Sequence, residues 1–293
     1  MKPITRIEQA LAAAVASGEA EGCPPKLAGA IRHAVFPGGA RVRPRLCLAV
    51  AHACGEDDPA LSEAAATSIE LLHCASLVHD DLPCFDDAAT RRGRASVHWA
   101  YGEPLAVLAG DALIVLAFQT LAAAAGRSPA RLAPLIATVA RGAGMPHGIV
   151  AGQAWESEPR VSLSDYQRAK TGALFVASTM AGAQAAGQPA EAWRALGDWL
   201  GEAYQAADDI RDAIGDPREL GKPIGRDAAL ARPSTIAELG LAGAIRYFQG
   251  LVEGAISAIP ECDGADRLRA LVHAEAERLV PAALTEDALR VPA

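Results

Sequence analysis

Two acidic segments each follow a long apolar stretch of this chain: HDDLPCFDD at residues 79–87 and ADDIRD at residues 207–212. Carboxylates beside apolar side chains are costly unless a positive charge compensates them. Mg²⁺ binds carboxylate oxygens in proteins and usually shares them with a substrate phosphate. The two segments therefore predict one site in which Mg²⁺ holds a diphosphate with an apolar tail. Solvated helix ends are the alternative interpretation.

The second segment closes a predicted amphipathic helix, 190–214, in which apolar residues recur every three or four positions. Asp208 and Asp212 are four residues apart, which places them about 40° apart around the axis. Gln205 lies one turn earlier on nearly the same face. We therefore expect these three side chains to point into one site.

The first segment contains a helix breaker. Asp80 and Asp86 are six residues apart and would point about 120° apart in a continuous helix. Pro83 must end the helix, and the bend that follows can turn Asp86 back toward Asp80.

Composition predicts an all-α protein. The 293 residues are 51% hydrophobic but only 4% aromatic, alanine is abundant, and β-branched runs are scarce. No linker, repeat or change of composition divides the chain, so we expect one domain over residues 1–293, a helical bundle around a central apolar cavity. The predicted helices are 3–17, 25–35, 41–54, 59–80, 94–101, 105–125, 129–144, 163–185, 190–214, 237–258 and 264–279.

Net charge and cysteine content narrow the class of protein. The net charge is −8 and no basic block is present, so we expect no nucleic-acid partner. The six cysteines form no C-x-x-C pair, which indicates reduced thiols in a cytoplasmic protein.

One stretch is nearly long enough to cross a membrane. Residues 105–126 carry a single charge, Asp111, but Gln119, Thr120 and many alanines weaken their hydrophobicity. We expect a buried central helix here and no integral membrane span. The N-terminal segment has Glu8 inside its apolar part, which favours an amphipathic helix over a signal peptide.

Basic residues occur in four short motifs that suit phosphate oxygens. Each motif alone is also compatible with a solvated surface. They are GGARVRP at 38–44, TRRG at 90–93, KTG at 170–172 and GKP at 221–223. A zinc site formed by His73, Cys74, His79 and Cys84 is disfavoured, because their spacing matches no ordinary ligand pattern.

These motifs together resemble the trans-isoprenyl diphosphate synthase family, in which the paired aspartate-rich segments occur in this order. The resemblance extends from about residue 30 to 235 and rests on DDLPCFDDAATRRG, GGARVRP, AKTGALF and QAADDIRDAIGDPRELGKPIGRD. It is strongest to the bacterial geranylgeranyl diphosphate synthases of carotenoid and bacteriochlorophyll pathways. The implied fold is the all-α isoprenoid synthase bundle.

The resemblance also implies roles for individual residues. Asp80, Asp81, Asp86, Asp208, Asp209 and Asp212 are the expected metal ligands for about three Mg²⁺ ions. Arg91, Lys170 and Lys222 are expected to bind an allylic diphosphate, with Thr171 and Gln205 close to the reacting carbon. Arg41, His73 and Arg92 are expected to bind isopentenyl diphosphate. For His73, a core histidine is the alternative.

The chain departs from the family pattern at three positions. Ala40 replaces a usual lysine and removes a cation from the isopentenyl site. Glu156 replaces a usual aspartate and lengthens the side chain. Arg232 occurs where a lysine-containing motif is usual.

Product length is expected to depend on Ala75 and Ser76, which precede Asp80 by five and four residues. Both are small where shorter-product members of the family tend to have an aromatic residue, so a C20 product is expected over C15. Close helix packing is the alternative reason for small residues here.

Two further interpretations stay open: a farnesyl diphosphate synthase, and a non-catalytic prenyl-binding or regulatory subunit of a heteromeric synthase. A class I terpene cyclase is disfavoured because it has no use for the isopentenyl-site arginines. The family implies a homodimer.

Overall fold

The computed structural model describes residues 3–36, 38–124, 126–159, 162–214 and 235–281, which are almost entirely helical. The first helices are α1 (Pro3–Ser17), α2 (Pro25–Val35), α3 (Val42–Ala53), α4 (Pro59–Asp80), α5 (Val97–Tyr101), α6 (Glu103–Ala124) and α7 (Pro129–Ala143). They are followed by α8 (Ile149–Ala154), α9 (Leu163–Gln167), α10 (Ala173–Ala185), α11 (Arg194–Ile214), α12 (Thr235–Ser257) and α13 (Ala265–Leu279). Shorter elements are the 3₁₀ turns Trp155–Ser157 and Ala190–Trp193, the π-helical turn Arg168–Gly172, and the hairpin strands β1 (Thr90–Arg91) and β2 (Arg94–Ala95).

The central helix α4 has clear start and stop signals. Asp58 caps its first turn by accepting a hydrogen bond from the amide of Leu61 at 3.3 Å, and Pro59 occupies the first helical position. The helix ends at Asp80, three residues before Pro83. It therefore delivers its acidic end to one face of the bundle.

Helices pack around two apolar cores that α10 connects, since it contacts α4 and α7 on one side and α3 and α11 on the other. The first core lies between α1, α2, α4, α6 and α7, and the second between α3, α11, α12 and α13. Burying one leucine or isoleucine side chain contributes roughly 1.5–3 kcal/mol. Fully buried examples are Ile69, Leu71, Leu113 and Leu121 in the first core and Leu196, Ile210 and Ile245 in the second.

The all-α prediction is confirmed, and most predicted helices begin and end within two residues of the observed ones. The helix predicted over 94–101 is wrong at its start, because Arg94 and Ala95 pair with β1 and α5 begins only at Val97. The predicted helix 163–185 contains the π-helical turn. Helix α8 was not predicted from the sequence.

Helix α6 is the one described helix that is long and apolar enough to cross a membrane by length and composition. One face of it is buried against α4, α2 and α5, including Leu113 and Leu121. Val107, Leu108 and Val115 on its other face are 42–57% exposed. We therefore assign α6 to the bundle, with one apolar face uncovered in the single chain.

An apolar cavity of about 50 Å³ lies in the second core, between α3, α10, α11, α12 and α13. Its lining includes Leu46, Phe175, Tyr204, Phe248 and Val272. All six cysteines are free thiols, and those of Cys47 and Cys74 are buried.

Candidate active site

The chain folds back on itself directly after α4. The amide of Asp86 donates to the carbonyl of Asp80 at 3.0 Å, and the amide of Ala88 donates to the carbonyl of Asp81 at 3.1 Å. Pro83 lies inside this loop. The predicted bend is thus confirmed, and it returns the backbone of Asp86 to the end of the helix.

Asp81 does not share the setting of Asp80. It is buried, and its carboxylate accepts hydrogen bonds from Nε of Arg91 at 3.0 Å and from Nη2 of the same side chain. Burial raises the pKa of Asp81, while the hydrogen bond from Arg91 acts in the opposite direction. In this structure the carboxylate of Asp81 orients Arg91, and the expectation that Asp81 is also a metal ligand stays a prediction.

Asp80 lies between two cations. Its carboxylate oxygens are 3.5 Å from Nη2 of Arg91 and 3.4 Å from Nζ of Lys170. Lys170 also contacts Glu156 at 2.6 Å. Burial alone would lower the pKa of Lys170, but the carboxylates of Asp80 and Glu156 and the side chain of Tyr166 outweigh it and raise the pKa to about 12. Lys170 is therefore protonated at any physiological pH.

The residue after Lys170 reaches the second acidic segment. The hydroxyl of Thr171 donates to Oε1 of Gln205 at 3.1 Å, and Nε2 of Gln205 donates to Asp209 at 3.0 Å. The other oxygen of Asp209 accepts from the amide of Thr235 at 2.8 Å, where α12 begins. Both oxygens of the buried Asp209 are thus used inside the protein. In this structure Asp209 orients Gln205, and the expectation that it is a metal ligand stays a prediction.

Asp208 and Asp212 are the two remaining carboxylates of the second segment. Both are half-buried and lie one turn apart on α11. The expectation that both residues are metal ligands stays a prediction.

The π-helical turn joins the two acidic helix ends. Lys170 contacts Asp80 at the end of α4, and the adjacent Thr171 contacts Gln205 on α11. The helices come close here because Gly201 has no side chain: a Cβ built on it would lie 2.7 Å from Cα of Gly172. The two segments, about 120 residues apart in sequence, therefore face one site.

Arg41 does not face that site. Its guanidinium is fully buried and binds Glu70 at 2.7 Å, Glu8 at 2.8 Å and the carbonyl of Val35 at 2.8 Å. These partners neutralise its charge and use its donors. These contacts favour a structural role for Arg41, and the expectation that it binds isopentenyl diphosphate stays a prediction.

Arg43 is the residue that the sequence reasoning missed. It is buried over the rings of Phe175 (4.7 Å) and Tyr204 (5.6 Å), and its Nε has no hydrogen-bond partner in the structure. Burial lowers its pKa. A buried guanidinium nitrogen without a hydrogen-bond partner is costly unless an anion binds it. The only sequence signal for Arg43 was that the GGARVRP motif contains a second arginine after Arg41.

His73 and Arg92 lie near Arg43. Burial, together with the charges of Arg43 and Arg92, lowers the pKa of His73 well below its ordinary value. His73 is therefore neutral at pH 7 and can donate one N–H. The guanidinium of Arg92 packs on Gly39, where a Cβ would lie 2.7 Å from its Cζ. These three side chains form a cationic cluster suited to a second diphosphate.

Glu156, which replaces the usual aspartate of the family, still contacts Lys170. Its carboxylate accepts from Lys170, from the hydroxyl of Tyr166 at 2.6 Å and from Nε2 of Gln153 at 2.9 Å. The longer side chain therefore reaches Lys170 and holds it beside Asp80.

The two residues expected to control product length differ in their surroundings. Ala75 is 1% exposed and lies within the first core. Ser76 is half-buried, and its hydroxyl donates to the carbonyl of His73 at 2.8 Å. Of the two, only Ser76 is partly exposed.

Lys222 and Arg232 lie outside the described residues, and Ala40 is exposed. Within the described part of the chain, no three His, Cys, Asp or Glu side chains lie close enough to hold a metal by themselves. The donor set nevertheless fits Mg²⁺, which is usually bound by one or two carboxylates together with substrate phosphates and water.

An all-helical fold with two acidic helix ends facing one cationic site is the architecture of isoprenoid synthases. The chain belongs to the polyprenyl synthetase family, whose sequence model matches residues 24–247. It is 56% identical to a geranylgeranyl diphosphate synthase of Cereibacter sphaeroides (94% of this chain, 96% of that protein). It is 49% identical to one of Rhodobacter capsulatus, again over 94% of this chain and 95% of the relative.

A solved structure supports the same fold. The geranyltransferase of Helicobacter pylori, crystallised with magnesium and isoprenyl diphosphate, is 29% identical and superposes with a TM-score of 0.77. The match covers 95% of this chain and 98% of that one. The all-α isoprenoid synthase fold predicted from the sequence is thus confirmed.

Proposed function

We propose that this protein is a Mg²⁺-dependent prenyltransferase that condenses isopentenyl diphosphate with an allylic diphosphate, giving geranylgeranyl diphosphate and diphosphate. The observation that carries the proposal is the π-helical turn, which places Lys170 against Asp80 and Thr171 against Gln205. It brings both acidic segments to one site beside a separate cationic cluster. Two anionic substrates can therefore be held next to each other.

The first subsite is suited to the allylic diphosphate. Arg91, oriented by Asp81, and Lys170, held by Glu156, present positive charges on either side of Asp80. Mg²⁺ held by Asp80, Asp86 and Asp208 would neutralise the diphosphate and make it a better leaving group. Lys222 belongs to this subsite by the family resemblance.

The second subsite is suited to isopentenyl diphosphate. Arg43, Arg92 and the neutral His73 lie together there, and a neutral imidazole can donate to a phosphate oxygen without adding to the positive charge. Holding the two substrates side by side replaces a bimolecular encounter with an aligned pair.

Charge placement and exclusion of water are the protein's main tasks in this scheme. As the allylic diphosphate leaves, Arg91 and Lys170 stabilise the charge that develops on it. Thr171 donates a hydrogen bond to the side-chain carbonyl of Gln205, and the side-chain NH₂ of Gln205 donates to Asp209. The polar groups near the reacting carbon are therefore oriented before the substrates bind. The proton lost from the condensed product would pass to the released diphosphate.

A C20 product is supported by the geranylgeranyl diphosphate synthases of Cereibacter sphaeroides and Rhodobacter capsulatus, which align over almost the whole chain. The small side chain of Ser76 agrees with it. We also propose that the whole chain, residues 1–293, acts as one domain in carotenoid-type isoprenoid biosynthesis.

A cytoplasmic homodimer is part of the proposal. The exposed apolar face of α6, which includes Val107, Leu108 and Val115, supports association with a second copy. The six free thiols agree with a reducing compartment. Size-exclusion chromatography with light scattering measures the oligomeric state directly.

The proposal is tested by incubating the purified chain with Mg²⁺, labelled isopentenyl diphosphate and each of dimethylallyl, geranyl or farnesyl diphosphate. The expected product is geranylgeranyl diphosphate. A C15 product would identify a farnesyl diphosphate synthase. Absence of any product from the chain alone would favour the non-catalytic subunit of a heteromeric synthase.

A further inference from the structure

The two-stranded hairpin of β1 and β2 carries Arg91 and Arg92, and it is too short to hold its own shape. Its register pairs Thr90 with Ala95 and Arg91 with Arg94. The turn consists of Arg92 and Gly93, whose φ angles are +54° and +74°, as in a type I′ turn. An isolated two-stranded hairpin is marginally stable at best. Its position must therefore be set by contacts with the rest of the protein.

The two arginines of the hairpin are anchored unequally. Arg91 is held by the fork to Asp81 and by its contact with Asp80. No carboxylate of the described residues pairs with Arg92, whose guanidinium instead packs on the backbone of Gly39. The positive charge of Arg92 is close enough to Arg43 to lower the pKa of Arg43, so the two cations repel each other. The placement of Arg92 consequently depends on what holds strand β2.

Strand β2 is tied to the end of α2 by three hydrogen bonds. Arg94 donates from Nη1 to the carbonyl of Phe36 at 2.8 Å and from Nη2 to Nδ1 of His33 at 3.0 Å. Nε2 of His33 donates to the carbonyl of Ala95 at 2.7 Å. One neutral tautomer of His33, protonated on Nε2, satisfies both of its bonds. The ring also packs edge-on against Tyr101, with centroids 5.5 Å apart.

We propose that Arg94 and His33 form a latch that positions Arg92 for the diphosphate of isopentenyl diphosphate. The inference rests on the proposed function. The latch joins the two segments that carry the arginines of the second subsite: α2 leads into the loop with Gly39 and then to Arg43, and β2 follows Arg92. Neither latch residue is placed in contact with substrate, so both are positioning residues.

The unequal anchoring predicts a selective effect. Loss of the latch leaves Arg91 bound to Asp81 but allows Arg92 to move away from Arg43. Arg94→Ala and His33→Ala should each raise KM for isopentenyl diphosphate about tenfold, the scale of one or two hydrogen bonds. KM for the allylic substrate should change less than about twofold, and the melting temperature should stay within about 2 °C, since the latch lies at the surface.

Two further variants separate geometry from charge. Arg94→Lys keeps the charge but offers a single nitrogen to two acceptors, so it should behave much like Arg94→Ala. The double variant Arg94→Ala with His33→Ala should cost less than the product of the single effects, because both changes break the same latch.

Arg32→Ala is the matched control. Arg32 is the neighbour of His33 on α2, is 53% exposed at its side chain and pairs with Glu19, away from the hairpin. The substitution removes the same charge, and KM for isopentenyl diphosphate should not change. An equal rise of KM in Arg32→Ala would overturn the latch in favour of long-range attraction of the substrate.

Calorimetric binding of isopentenyl diphosphate distinguishes the two levels of failure. A wild-type chain that binds it but makes no product with any primer fails the proposed function alone. Equal affinities of wild type and Arg94→Ala overturn the latch whatever the activity. A rise of both KM values together with a large fall in melting temperature would also overturn it, because the residues would then be merely structural.

Discussion

Replacing each arginine of the GGARVRP motif in turn should show that Arg41 supports stability and that Arg43 supports substrate binding. Arg41→Gln removes the partner of Glu70, which is 2% exposed at its side chain, and a buried carboxylate left unpaired costs about 3–5 kcal/mol. The contact with Glu8 contributes little, because that carboxylate is 38% exposed. The lost bond to the carbonyl of Val35 adds about 1 kcal/mol.

We therefore expect Arg41→Gln to lower the free energy of unfolding by about 4–6 kcal/mol, a fall of about 10–20 °C in Tm for a chain of this size. Arg43→Gln should do the opposite: it removes a buried charge without a carboxylate partner, so stability should change little or rise. Its KM for isopentenyl diphosphate should instead rise by about tenfold or more, the scale of a charge-assisted hydrogen bond.

Urea unfolding followed by circular dichroism gives the first quantity, and steady-state kinetics at 20 °C gives the second. Arg41→Lys is a useful companion, since it retains the charge beside Glu70 and should recover part of the stability. An Arg41→Gln protein with wild-type stability and a raised KM would refute the assignment of Arg41 as structural.

Three other predictions concern the same site. Ser76→Phe should shorten the main product from C20 to C15, whereas Ala75→Phe should chiefly destabilise the fold by about 1–3 kcal/mol, because the side chain of Ala75 is enclosed. Chromatography of the products and thermal unfolding check both variants, and an unchanged product length in Ser76→Phe would exclude a tunnel at this position. The pKa of His73 is lower in the folded state than its ordinary 6.5, so below about pH 6.5 the unfolded chain binds one more proton and the free energy of unfolding should fall. His73→Gln should lose less of this free energy than the wild type between pH 7 and pH 5. Equal losses would contradict the burial of a neutral ring. Chelation of Mg²⁺ should abolish turnover and leave the circular dichroism spectrum unchanged, because Asp80 is already paired with Arg91 and Lys170; loss of helical signal would mean that the metal is structural.

The parts of the site that the sequence predicted are those set by local geometry. Helical spacing was enough to place Asp208 and Asp212 together, and Pro83 was enough to turn Asp86 back to Asp80. The contacts between distant segments were not accessible in this way. Nothing in the spacing of Arg41 and Arg43 says which one meets Glu70, since that depends on how α1 and α4 pack against α3.

The hairpin shows the same limit at a smaller scale. The stretch 94–101 carries no strong strand pattern, and the turn with positive φ angles at Arg92 and Gly93 is what pairs Arg94 and Ala95 with β1. An arginine in that conformation stores roughly 1–3 kcal/mol of strain. The chain tolerates an arginine there because the turn points Arg92 into the cationic cluster, a reason that lies in the site and not in the local sequence.

The two subsites differ in how their charges are balanced before substrate arrives. In the allylic subsite, Lys170 and Arg91 are already bound to Asp80, so a diphosphate must compete with that carboxylate unless a divalent cation takes it over. In the isopentenyl subsite, no carboxylate of the described residues forms an ion pair with Arg43 or Arg92, so the anion has no such contact to displace. Binding of isopentenyl diphosphate should therefore need little Mg²⁺, whereas binding of the allylic diphosphate should depend on it strongly. Only the allylic diphosphate has to leave in the reaction. The subsite that needs Mg²⁺ more is therefore the one that holds the bond to be broken.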